Sequence, residues 1–115
     1  MQIRGSYYNR LIYSAAITDT NAKTSDTAEI SGYSEKSLIV KNGLNQNAVI
    51  QIQGSCDNIT FINVGATTTV NAGVNSIIGV NEVAQLNNYF PFLRATITAS
   101  ISPTTGTITV QAVAM

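Results

Sequence analysis

In Leu93-Arg94-Ala95-Thr96-Ile97-Thr98-Ala99-Ser100-Ile101 every odd position is apolar and every even one polar. Side chains of a strand point alternately to its two faces, so this stretch predicts a strand with one buried and one wet face. Thr107-Ile108-Thr109-Val110-Gln111-Ala112 repeats the pattern with its even positions apolar. Ser102-Pro103-Thr104-Thr105-Gly106 between them supplies the Pro and Gly of a hairpin loop, and the two strands are expected to pair antiparallel.

The same reading extends toward the N-terminus. Ala48-Val49-Ile50-Gln51-Ile52-Gln53 alternates, and Ser37-Leu38-Ile39-Val40-Lys41 precedes it across Asn42-Gly43. Asn-Gly tolerates the positive φ of tight turns, which predicts a second antiparallel hairpin. Further strand candidates are 59–64, 67–71 and 76–80, punctuated by Gly54, Gly65, Gly73 and Gly79. No stretch sustains a helical apolar period, and at most Val83 to Asn88 reads as a short helical turn. The expected fold is all-β: a single jelly-roll-like β-sandwich of about eight antiparallel strands over residues 36–115, with an N-terminal extension.

Residues 1–17 read as an N-terminal arm that a neighbouring subunit takes up as a strand. Equally, Leu11 to Ile17 reads as the first strand of the chain's own sandwich. Residues 18–35 are a polar linker or first-strand region, because Asp19, Asn21, Lys23, Ser25, Asp26 and Glu29 suit a solvated segment. The first residues carry positive charge but no apolar core after it, so no secretory signal peptide is expected.

Charge is scarce. Six basic and six acidic residues balance to a formal net charge of zero, and from Asn58 to Met115 the only acid or base side chains are Glu82 and Arg94. A surface with so little charge favours association. Without a basic cluster, nucleic acid is not an expected partner. Apolar runs fall far short of the roughly 20 residues that span a bilayer as a helix, so no membrane insertion is expected. The chain has no His and one Cys, which leaves no ordinary general base near neutral pH and no residue set for a tetrahedral zinc site. No catalytic residues, cofactor or metal are expected.

Individual residues offer a few candidates. Cys56, in Gly54-Ser55-Cys56-Asp57-Asn58, is either a crosslink between subunits or a thiol tucked under a turn; no cation flanks it to activate it. Asp57 and Asn58, or Asp19, Asn21 and Asp26, offer oxygens to calcium, but neither group forms a recognised loop. Thr96, Thr98, Thr107 and Thr109 suit the outer face of strands. Tyr7, Tyr8, Tyr13, Tyr33 and Tyr89 are either a sugar-stacking platform or anchors that bury a ring and keep a hydroxyl wet. Glu82 and Arg94, alone in a neutral half-chain, are a candidate salt bridge within or between subunits.

The segment Ile50-Gln51-Ile52-Gln53-Gly54-Ser55-Cys56-Asp57-Asn58-Ile59-Thr60-Phe61-Ile62-Asn63-Val64-Gly65 carries a resemblance, together with Tyr89 to Thr98 and the ending from Pro103 to Val110. It resembles endospore appendage subunits of Gram-positive spore formers, small jelly-roll proteins that form fibres on the spore surface. The resemblance implies a homopolymer, with anchor or tip proteins as further partners, built without a signal peptide and coupled through an N-terminal extension. Several relatives carry cysteines in that extension, whereas residues 1–55 here have none. Independently of the family, an extended arm adds a strand to a neighbour's sheet edge through main-chain hydrogen bonds; Ile3, Tyr8, Leu11, Ile12 and Tyr13 are the residues expected at that interface. The leading expectation is thus a self-assembling fibre subunit. The alternatives are a bacteriophage capsid-decoration or tail protein and a carbohydrate-binding module.

Overall fold

The computed structural model describes residues 7–86 and 90–115. Its ten strands, in chain order, are β1 (Tyr8–Ala15), β2 (Lys23–Thr24), β3 (Ala28–Glu29), β4 (Lys36–Asn42), β5 (Ala48–Ser55), β6 (Ile62–Asn63), β7 (Thr68–Val70), β8 (Asn75–Ile78), β9 (Phe92–Ala99) and β10 (Ile108–Ala114). They form two antiparallel sheets packed as a jelly-roll-like sandwich. One sheet has the order β1-β10-β4-β8; the other runs β2-β9-β5-β6, with β3 also on β9 and β7 also on β5. The two strands beyond the expected eight are the two-residue pieces β2 and β3, too short to leave an alternating pattern, while β6 falls within the expected 59–64.

Alternation does the packing. In β9 every second residue from Leu93 to Ala99 is buried, in β10 every second from Ile108 to Ala114, and β4 and β5 match them with Leu38, Val40, Ala48, Ile50 and Ile52. The inner faces of the two sheets share one apolar core, and each full burial of an Ile or Leu side chain contributes about 1.5–3 kcal/mol.

Both expected hairpins are corrected. β4 pairs with β10 and β8, and β5 pairs with β9, β6 and β7, so the loop after Asn42 crosses from one sheet to the other. The loop between β9 and β10 does the same. Asn42 and Gly43 do not take the positive φ of a tight hairpin turn. Asn42 instead ends β4 with a buried side chain: Nδ2 donates to the carbonyls of Val70 (2.9 Å), Gln46 (3.1 Å) and Asn71 (3.3 Å), and Oδ1 accepts the Leu44 amide. The two crossing loops bond to each other, through Gly43 N to Thr107 O (2.9 Å) and Asn45 N to Thr105 O (3.3 Å), and through the Asn45 and Thr104 side chains. The fit requires Gly106: its φ is +95°, and a Cβ there would lie 1.9 Å from the Gly43 carbonyl oxygen.

The polar stretch expected as a linker also runs along the sandwich. Ser25 separates β2 from β3; its amide donates to the Ala95 carbonyl (2.8 Å) and its hydroxyl accepts the Ala95 amide (2.8 Å). The chain thus stays on β9 despite its polar composition, and Ala28 and Ile30 drop into the core. Asp26 N donates to the Ile12 carbonyl (2.8 Å), and Arg10 reaches Thr27 O (3.0 Å) and the Asp26 carboxylate (3.7 Å), joining the two sheets along this side.

Candidate assembly surfaces

Of the residues expected in the arm, Ile3 lies outside the described residues. Tyr8 to Ala15 forms an edge strand of the chain's own four-stranded sheet, in register from Tyr8↔Ala114 to Ala15↔Ile108. A bulge between Leu11 and Tyr13 leaves Ile12 unpaired and turned into the core, 1% exposed. Ile12 is therefore a core residue of this chain's sandwich. Tyr8 and Tyr13 pack partly buried against the core, while Leu11 is 53% exposed.

The tyrosines do not form a platform among the described residues. Tyr8 meets Tyr33 edge to face at 6.0 Å, Tyr13 leans on the core, and Tyr7 is exposed; Tyr89 lies outside the described residues, as do Asn87 and Asn88 of the expected helical turn. Glu82 and Arg94 are not paired with each other. Glu82 Oε1 accepts the Gly79 amide (2.8 Å), whereas Arg94 Nε donates to Gln53 (2.8 Å) and its guanidinium stacks 3.8 Å over the Phe61 ring.

Cys56 is a free, exposed thiol at the start of a tightly bonded loop. Asp57 Oδ1 accepts the amides of Thr60 and Ile59 and the Ser55 hydroxyl, each at 2.9 Å, and Asn58 takes a φ of 60°. Those bonds, the Thr60 and Ile59 amides first, hold the Asp57 carboxyl below its ordinary value of 3.8. The carboxylate is spent on its own loop, which presents Ile59 at 82% exposure. Asp19 is committed likewise, to Lys23 Nζ (2.9 Å) and the Asn21 amide (3.0 Å), and its pKa is lowered by them in that order. Among the described residues no three His, Cys, Asp or Glu side chains converge.

The outer faces of the two sheets differ. The six-stranded sheet turns out Thr96 and Thr98 from β9, Gln51 and Gln53 from β5 and Thr69 from β7, with the apolar Val49 among them, a mostly polar face suited to water. The four-stranded sheet carries across its middle the row Leu11–Gln111–Ile39–Ile77, given by consecutive pairings of β1, β10, β4 and β8. Ile77 is 65% exposed, and beside the row lie Val113, Val80 and Met115. Here a shallow concavity of about 410 Å³ has Glu35 and Glu82 among its lining residues. Of the expected site residues, Leu11 lies in this row and Glu82 lines the concavity beside it. The signal for the face was the consecutive apolar run Leu38-Ile39-Val40, in which Ile39 falls on the side that alternation reserves for polar residues.

No family model matches the chain, and no curated protein is similar to it in sequence. Solved structures are similar in fold. The PBSX exported protein XepA aligns with a TM-score of 0.69 at 15% identity, over 92% of this chain and 36% of that one. This chain thus spans about a third of XepA. The SPBc2 prophage-derived protein YomS aligns over 99% of this chain and 97% of its own, with a TM-score of 0.60 and 12% identity. A chain of the infectious bursal disease virus Gx strain aligns over 96% of this chain and 32% of its own, with a TM-score of 0.53 and 12% identity. At these identities the likeness is one of fold. Among the described residues, no helix is long and apolar enough to cross a membrane.

Proposed function

We propose that this protein is a self-assembling structural subunit that polymerises through its sheet edges and N-terminal residues, forming an extracellular or spore-surface fibre as the endospore-appendage resemblance implies. The observation that carries the reading is the polarity of the edges. Both sheets are four positions wide and antiparallel throughout, so β1 runs opposite to β8, and β2 and β3 run opposite to β6 and β7. A second copy in the same orientation therefore presents its β1 antiparallel to the first copy's β8, and its β2 and β3 antiparallel to the first copy's β7 and β6. Such head-to-tail addition does not close on itself, and with the twist of each sheet it generates a helical filament. Main-chain pairing supplies affinity without charged side chains, in keeping with so sparsely charged a chain. The exposed Cys56 is the candidate for a covalent link between copies, and anchor or tip proteins are its further expected partners.

A second reading, a virion component, is favoured by the full-length likeness to a prophage-derived protein. Electron microscopy of the purified protein over a range of concentrations separates them. The fibre reading expects regular filaments; particles that stay monomeric at every concentration overturn it.

A further inference from the structure

We propose that the outer face of the four-stranded sheet is a self-complementary interface, which a second copy of this chain covers across a two-fold axis. A solvent-facing sheet surface is expected to be polar, as the six-stranded sheet's mostly is, and a contiguous exposed apolar patch marks an interaction site. Here Ile39 and Ile77 are adjacent at the centre of the face, with Val113 beside them and Leu11 beyond Gln111 in the same row.

Charge selects the occupant. Lys41 is exposed and projects outward from one end of β4; it has no ion-pair partner among the described residues. At the other end of the face Glu35 and Glu82 line the concavity with the mostly buried Lys36, two carboxylates to one ammonium, together with Ile77, Val80 and Met115. Six residues of strand separate Lys41 from Glu35, about 20 Å at about 3.3 Å per residue. A two-fold axis lying between two such faces, perpendicular to the strands near Ile39, places Ile39 over its own copy. The same axis carries each Lys41 over Ser37 of its partner, which also lines the concavity, two residues or about 7 Å from Glu35, a gap the lysine side chain spans. Apolar meets apolar, and the ammonium enters the acid-lined concavity; both contacts occur twice, as an isologous interface requires. The sheet edges stay open, so the interface is compatible with edge-to-edge growth and independent of it.

The test is sedimentation velocity and mass photometry on the full chain, with circular dichroism as the check on folding. A dimer is expected as the smallest abundant species. Lys41→Glu alone, or Glu35→Lys with Glu82→Lys, is expected to weaken it at least tenfold, because like charges then meet. Mixing the two variants restores the dimer: the carboxylate introduced at position 41 of one chain meets the lysine-bearing end of the other, whose own Lys41 meets an unaltered acidic end. Ile77→Glu, at an exposed position, is expected to dissociate it without unfolding. A wild-type monomer, dimers indifferent to these changes, or failure of the mixture to recover overturns the interface. Filaments of single-copy width overturn it too and leave the fibre reading standing, whereas a dimer that forms no filament does the reverse.

Discussion

At the scale of single residues, two polar side chains hold loops that apolar packing does not reach. Asn42 is 1% exposed and bonds three carbonyls and one amide, tying the β4–β5 crossing loop to the end of β7. Asn42→Ala leaves the Val70 carbonyl and the Leu44 amide without that partner in a site closed to water. The expected loss is about 2–3 kcal/mol, measured as a lower denaturant midpoint at unchanged slope. Asp57 acts at the surface and through its ionised form. Because its folded pKa is depressed, the contribution of its hydrogen bonds is present above the ordinary value of 3.8 and is lost as pH falls through the folded value. The amide resonances of Ile59 and Thr60 should therefore hold constant from neutral pH down to about 3.8 and move together below it. Movement already near pH 6 would show that the carboxylate does not organise the loop.

At the scale of elements, the sequence was legible wherever structure is a local consequence of it. The long strands β5, β9 and β10 follow from alternation alone, because the period of two is a property of each strand by itself, and β4 follows from the apolar run Leu38-Ile39-Val40 before Asn42-Gly43. Which sheet a strand joins is not local. A hairpin and a sheet-crossing loop both connect two alternating strands by a short Gly-containing segment, and only the bonding between the two loops, hinged on Asn42 and Gly106, decides between them. β2 and β3 were hidden for another reason: their place on β9 rests on backbone bonds and the Ser25 hydroxyl, which a polar sequence does not announce. β1 was legible only in part, since the bulge at Ile12 breaks its alternation. That strand can be tested as a unit. Removing residues 1–15 deletes Ile12 from the core and bares β10, so a lower melting temperature and oligomers joined at β10 are expected. Adding a peptide of residues 7–16 should restore the intact chain's melting temperature. A truncated chain as stable as the intact one would show that β1 contributes nothing to its own sandwich.

At the scale of the whole molecule, near-neutrality removes long-range repulsion and leaves association to local complementarity, which makes edge pairing sensitive to single charges. The strand registers place β6 level with β3. β6 pairs with Gln53 and Gly54 of β5, those residues pair with Arg94 and Leu93 of β9, and β3 pairs with Leu93 and Phe92. Copies added in the same orientation therefore set Ile62 of one level with Ala28 of the next, with Glu29 one residue, about 3.3 Å, further along. Ile62 is 54% exposed, and Glu29 is exposed with no ion-pair partner among the described residues, so a charge at position 62 should leave the fold intact. Ile62→Glu brings a second carboxylate diagonally beside Glu29 at the joint and is expected to shorten filaments, while Ile62→Lys supplies the opposite charge and is expected to lengthen them. Electron microscopy reads both, and raising the salt from about 0.01 M to about 1 M should bring the two variants together, since the screening length falls from about 30 Å to about 3 Å. Equal filament lengths at low salt would rule out same-orientation addition at this edge. A reversed order would mean that Ile62 meets a cation, which on the opposite edge Lys23 or Arg10 could supply, and the register of addition would have to shift accordingly.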